Sequence, residues 1–160
     1  MRHGKSDWSE NLPDFDRPLN TRGQKDAARM GRWIKDQGLN PATVISSPAK
    51  RALHTTQLVC EQAGVDSDRI MLEDRIYEAS HGDLLDVIEK NIKDSDSLLI
   101  TGHNPGLDAL VGYLASEEPS LSESGKLMTT AAIAVFEFAD GYNGKPGSGH
   151  LRTLARPKEI

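Results

Sequence analysis

Apolar and polar positions along this chain follow two alternating periods. Short β-rich apolar runs alternate with longer stretches in which apolar residues recur every three or four positions. The first long stretch places Ala27, Met30, Gly31 and Ile34 on one helical face, with Thr21 and Gln24 spaced as a capping box at its start and Gly38 as its stop. Thr43 to Ser46 reads as a strand. Ser47-Pro48 then sets a cap residue before a proline at the first helical position, opening a helix whose buried stripe would run Ala49, Ala52, Thr56, Cys60 and Ala63 as far as Gly64. Arg69 to Leu72 reads as a further strand, and Asp83 to Ile92 as a helix with Leu84, Leu85, Ile88 and Ile92 on one face. Ser97 to Thr101 is predicted as a strand, and Asn104-Pro105 begins a helix with Leu107, Leu110, Val111 and Leu114 at packed-stripe spacing. The Ser- and Glu-rich segment from Ser116 to Thr129 reads as a surface loop. Ala131 to Phe138 and His150 to Ala155 flank the turn-rich Gly141 to Gly149, which predicts an antiparallel pair.

Strands alternating with helices predict an α/β fold with a mostly parallel central sheet. At 160 residues the chain is expected to form a single domain over 1–160. With 37% apolar and 27% charged residues it is expected to be globular rather than disordered. No apolar run approaches a membrane span and no apolar leader segment follows a basic start, so the expected compartment is the cytoplasm and no membrane partner is expected. A net charge of −5 supplies no global positive field for nucleic acid, so any anion site has to be local. The single cysteine, Cys60, falls in an apolar helical pattern, where a buried packing role outweighs a catalytic thiol.

The candidate chemistry sits where strands hand over to helices. In an open parallel sheet ligands bind beyond the carboxyl ends of the strands. Met1-Arg2-His3-Gly4 delivers a guanidinium and an imidazole into a tight turn, Arg51 lies in the first turn of the helix after Thr43 to Ser46, and His103-Asn104 follows Ser97 to Thr101. Two arginines and two histidines at such points suit a phosphoryl group, which takes forked and charge-assisted hydrogen bonds. Backbone N–H groups at Asn104 and Gly106 would add to anion binding at a helix start. Plainer readings exist for each: a surface histidine near a terminus for His3, a helix-start residue for His103, a solvated helix charge for Arg51. Trp8 either borders the entrance or packs in the core, and Arg17 and Arg22 either order the loop after His3 or serve as ordinary surface charges.

Taken together, Arg2-His3-Gly4, Asp16-Arg17-Pro18-Leu19-Asn20-Thr21-Arg22-Gly23, Ser46-Ser47-Pro48-Ala49-Lys50-Arg51-Ala52, Gly102-His103-Asn104-Pro105 and Arg156-Pro157-Lys158 resemble the histidine phosphatase superfamily, and within it the SixA-type phosphohistidine phosphatases. The resemblance implies a three-layer α/β/α sandwich of the phosphoglycerate mutase-like kind. It also implies an apolar strand ahead of Arg-His-Gly, of which this chain offers only Met1, so the first strand is expected to be truncated and its neighbours' backbone groups unpaired. His3 is then the nucleophile, passing through a phosphohistidine intermediate, with Arg2, Arg51, His103 and Asn104 binding the phosphoryl group and Glu78 a candidate acid or base. Neither a metal nor another cofactor is expected, since the arginines and an imidazolium at His103 would neutralise the charge. The expected substrate is phosphohistidine on a protein. A phosphomonoesterase for a small molecule or phosphopeptide, or a non-catalytic phosphate-binding module, are the alternatives, and the chain lacks the length expected of a mutase that encloses a bisphosphate.

Overall fold

The computed structural model describes residues 1–93 and 95–160. Four helices, α1 (Thr21–Asp36), α2 (Lys50–Ala63), α3 (His81–Ile92) and α4 (Gly106–Leu114), surround strands β1 (Thr43–Ser46), β2 (Ile70–Leu72), β3 (Leu98–Thr101), β4 (Ile133–Glu137) and β5 (His150–Ala155). β1 lies between β2 and β3 in a parallel sheet, while β4 and β5 pair antiparallel with a bulge between Val135 and Phe136. Successive residues of β1 face opposite layers, as strand geometry requires. Val44 packs with Cys60 and Val65 on the α2 side, and Ile45 packs with Leu84, Ile88 and Leu107 on the side of α3 and α4. Met30 and Ile34 of α1 complete the first layer with Met1, Val59 and Ile133, so the α/β/α sandwich follows from alternating apolar positions in a short strand.

Local chemistry differs from the predicted helix starts. The α1 cap is Asn20, whose side chain accepts from the Gly23 N–H, and not the Thr21–Gln24 box. α2 begins at Lys50 after Ala49, which has no capping side chain; Ser47 Oγ instead accepts from the Ala49 N–H in the preceding turn. α4 begins at Gly106 rather than at Asn104-Pro105. α3 starts two residues earlier than expected, because Ser80 and Asp83 form a reciprocal capping box that the apolar pattern alone does not reveal. The surface-loop reading of Ser116 to Thr129 fails at its end, where Met128 is buried and its N–H donates to Asp108 Oδ1.

Ahead of His3 the chain makes a single bridge, Arg2 pairing parallel with Gly102. It is nonetheless held from both sides. The His3 N–H donates to Gly102 O and the Gly102 N–H to Met1 O, while on the other side Arg2 N–H donates to Ala132 O and Ala131 N–H to His3 O. The Met1 amine completes the run by donating to Ile100 O at 2.7 Å. Met1 to His3 thus joins β3 to the start of β4, and beyond Met1 an apolar slot of about 820 Å³ continues between residues 98–100 and 133–136, floored by side chains such as Ile34, Ile88 and Leu110.

Candidate active site

Three chain segments bring the predicted residues together at the carboxyl ends of the parallel strands. His3 leaves the bridge beside β3 and enters a turn that only glycines permit: a Cβ on Gly4 would meet Gly23 O at 2.7 Å, and one on Gly23 would collide with the Lys5 backbone. The Gly4 N–H donates to Thr55 Oγ1, and Thr55 itself donates to Arg51 O, tying the turn to the first turns of α2. His3 Nδ1 lies 2.7 Å from Gly4 O, which accepts its proton and leaves Nε2 as the ring's lone-pair nitrogen. Arg51 Nε donates to that Nε2 at 3.3 Å.

Arg51 reaches back from the first turn of α2 because helical side chains lean toward the N-terminus. Its Nη2 meets His103 Nδ1 at 3.3 Å, and His103 Nε2 donates to Ser47 Oγ at 2.8 Å. The two imidazoles lie 5.1 Å apart between centroids. Arg2 donates through Nη1 to Met128 O, and Asn104 Nδ2 donates to the same carbonyl at 3.2 Å. Arg2 Nε and Asn104 Oδ1 are buried and have no partner among the described residues. A buried orphan N–H on a guanidinium is costly unless a ligand takes it.

Burial dominates the electrostatics. It pushes His3 down to about 4, helped by Arg51 and Arg2 and opposed by the Gly4 carbonyl. Burial followed by His3 and Arg51 pushes His103 down to about 3. Both shifts favour neutral rings near pH 7.

Glu78 does not join this group: it is exposed, at φ 56°, and no hydrogen bond or salt bridge ties it to the cluster among the described residues. The carboxylate at the cluster is Asp14, from a 3₁₀ turn at Asp14–Asp16 that no periodicity marks. Its Oδ2 accepts from Arg51 Nη2 at 3.0 Å and from the Tyr77 hydroxyl at 2.7 Å, its Oδ1 from Arg17 Nη1 at 3.0 Å, and its backbone O from Arg51 Nη1 at 2.6 Å. Tyr77 stands edge-on to His103 at 5.5 Å and to Phe15 at 5.1 Å. Arg17 does order the loop after His3, and also lies 3.6 Å from the ring centre of Trp8, which is 68% exposed and not in the core. Arg22 pairs only with Asp26 among the described residues.

The profile of the histidine phosphatase superfamily (branch 1) matches residues 1–96. The chain belongs to the histidine phosphatase superfamily. Among its relatives, an uncharacterised Mycobacterium tuberculosis protein is 34% identical over 156 residues, covering 94% of this chain and 96% of that one. A 2,3-bisphosphoglycerate-dependent phosphoglycerate mutase of Streptomyces avermitilis is 46% identical over only 66 residues, 39% of this chain and 26% of that one. Among solved structures, the protein histidine phosphatase SixA in complex with tungstate superposes with a TM-score of 0.82 at 24% identity, over 99% of this chain and 96% of that one. A protein assigned as the phosphohistidine phosphatase SixA of Agrobacterium tumefaciens gives a TM-score of 0.78 at 26% identity, over 98% and 95%. The phosphoglycerate mutase-like fold expected from the sequence is thus shown, and no helix among the described residues of this histidine phosphatase is long and apolar enough to cross a membrane.

Proposed function

We propose that this histidine phosphatase hydrolyses phosphohistidine on a partner protein, in the cytoplasm, through a covalent phosphohistidine on His3 and without a metal ion. The observation that carries the reading is the tautomer of His3: with Nδ1–H bonded to Gly4 O, Nε2 presents a lone pair beside Arg51. The Nε2 pair forms a bond to phosphorus as the bond to the leaving nitrogen breaks, and water then attacks that phosphorus, returning the P–N pair to Nε2 and releasing inorganic phosphate. Arg2 Nε, an unpartnered buried donor, meets one equatorial oxygen, and Arg51 meets others by exchanging contacts it now makes to Asp14 and His103 for the substrate. The incoming phosphoryl anion raises the affinity of the neutral His103 for a proton, so the imidazolium arises with the substrate instead of preceding it. Asn104 contributes its side-chain amide from the same wall, and Glu78 at the rim stays a candidate acid or base. The exposed Trp8 and Phe15 on the loop after His3 suit a bulky protein substrate.

The test is a substrate panel of a phosphohistidine protein, sugar phosphates and a phosphopeptide, with wild type and His3→Ala. Phosphohistidine is expected to be turned over fastest, with acid-labile phosphate trapped on wild type alone. Full activity in His3→Ala would end the covalent reading, and a sugar phosphate turned over faster than phosphohistidine would favour the small-molecule alternative.

A further inference from the structure

Asp14 is out of place in an anion site. A carboxylate beside the arginine that is to hold a phosphoryl group repels that group and competes for its donors. Arg51 spends Nη1 on Asp14 O and Nη2 on Asp14 Oδ2 and His103 Nδ1, so Asp14 sits against the guanidinium edge that the substrate needs. It is also firmly held: the Tyr77 hydroxyl first, then Arg51 and Arg17, keep its carboxyl below the ordinary carboxylate range. Its side chain is 51% exposed, while Arg51, His3 and His103 are buried beneath it. The carboxylate therefore stands at the exposed edge of the cluster, with Tyr77 and Phe15 beside it.

We propose that Asp14 is a specificity-determining residue for the leaving group, favouring phosphorus bonded to a ring nitrogen whose second nitrogen carries a proton over phosphorus bonded to an ester oxygen. This rests on the phosphohistidine reading above and deepens it. In phosphohistidine one imidazole nitrogen bears phosphorus and the other can bear a proton, which makes the ring cationic. Asp14 accepts a hydrogen bond from that N–H and holds the ring in its protonated form. When His3 Nε2 attacks, the electron pair of the breaking P–N bond returns to the departing nitrogen, and the ring leaves as neutral imidazole with its N–H in place. No external acid is consumed. An alkoxide leaving from an ester departs as an anion and needs a proton that an ionised Asp14 does not supply, while the carboxylate charge opposes it. The same residue thus aids one substrate class and hinders the other.

The experiment compares wild type, Asp14→Asn and Asp14→Ser on a phosphohistidine peptide and on p-nitrophenyl phosphate, with thermal midpoints measured alongside. The kcat/KM for phosphohistidine is expected to fall by about tenfold to a hundredfold in both variants, the size of one charge-assisted hydrogen bond, so that its ratio to kcat/KM for p-nitrophenyl phosphate falls by about tenfold or more. The loss is expected to grow as pH rises through the range in which the free substrate ring loses its proton, since wild type retains that proton and the variants do not. Equal losses on both substrates make Asp14 a structural brace and overturn the proposal, as do equal gains, which make it only a plug. Wild type that turns over p-nitrophenyl phosphate and never phosphohistidine sinks the underlying reading as well, whereas wild-type turnover of phosphohistidine with an unmoved ratio sinks the role of Asp14 alone.

Discussion

At the scale of single residues the site depends on neutral rings. Two buried imidazoles near two guanidiniums are easier to keep uncharged than charged, so His3, the proposed nucleophile, keeps its lone pair well below the pH at which a free imidazole would be protonated. The acid limb of kcat/KM is accordingly expected near pH 4, where the His3 ring titrates, and not in the ordinary imidazole range. A pH profile with a substrate that does not itself titrate there checks this, and a limb near 6.5 would show that the ring is more solvated than its surroundings indicate. His3, Arg2, Arg51, His103 and Asn104 were legible because each follows a strand or opens a helix, where topology gathers side chains. Asp14 and the Met128 carbonyl were not. Asp14 lies in a short turn without period, its value coming from Arg51 and Tyr77 far away in sequence, and a backbone carbonyl carries no residue identity that a sequence reading can use. Glu78 was named through the family resemblance and not through periodicity, and it is exposed, next in the chain to Tyr77 of the cluster.

At the scale of elements, stripes were easier to read than ends. The stripe positions read in α1 and α4 all proved buried, because a helical face is set by local spacing and the core only has to accept it. Caps depend on which backbone N–H groups the previous loop leaves within reach, and that loop is placed by tertiary contacts. Asn20 illustrates this: its own N–H donates to Lys5 O while its side chain caps Gly23, so one residue ends the loop after His3 and starts α1. Thr21 fits the capping-box spacing but already lies within the helix. Asn20→Ala is therefore expected to cost about 1 kcal/mol of stability, and Thr21→Ala less than about 0.5 kcal/mol. Urea unfolding of the two variants measures the difference, and equal costs would return the cap to Thr21. The bond to Lys5 O is made by the Asn20 main chain, which Ala retains, so the turn after His3 keeps its brace and kcat is expected to change no more than with the loss of a remote cap such as Ser80 on α3.

At the scale of the whole molecule, the two halves of the sheet meet across Met1 to His3 and are otherwise separated by an apolar slot. Alternation along β3 turns the backbone groups of Leu98 and Ile100 toward this slot, and the Met1 amine stands where a strand's next N–H would stand. Burial pushes that amine from 8.0 down to about 5, so between those values the unfolded chain binds the proton and the folded chain does not. Stability from this group is thus complete above pH 8 and is lost as pH falls through 5, with His3 and His103 extending the same sign of loss to lower pH. A chain carrying four or five Val, Ile or Leu residues ahead of Met1 replaces the titrating amine by a peptide N–H and offers side chains to both helix layers. Apolar burial of about 1.5–3 kcal/mol per residue exceeds ordering costs of about 1–2 kcal/mol, so a net gain of a few kcal/mol is expected. That corresponds to a rise in Tm on the order of 5–10 °C. The pH dependence between 8 and 5 should flatten at the same time. An equally long Gly-Ser extension also removes the free amine but supplies nothing to pack, so it should flatten the pH profile without the rise in Tm. If both extensions raise Tm alike, the amine and not the empty slot is what limits the stability of the fold.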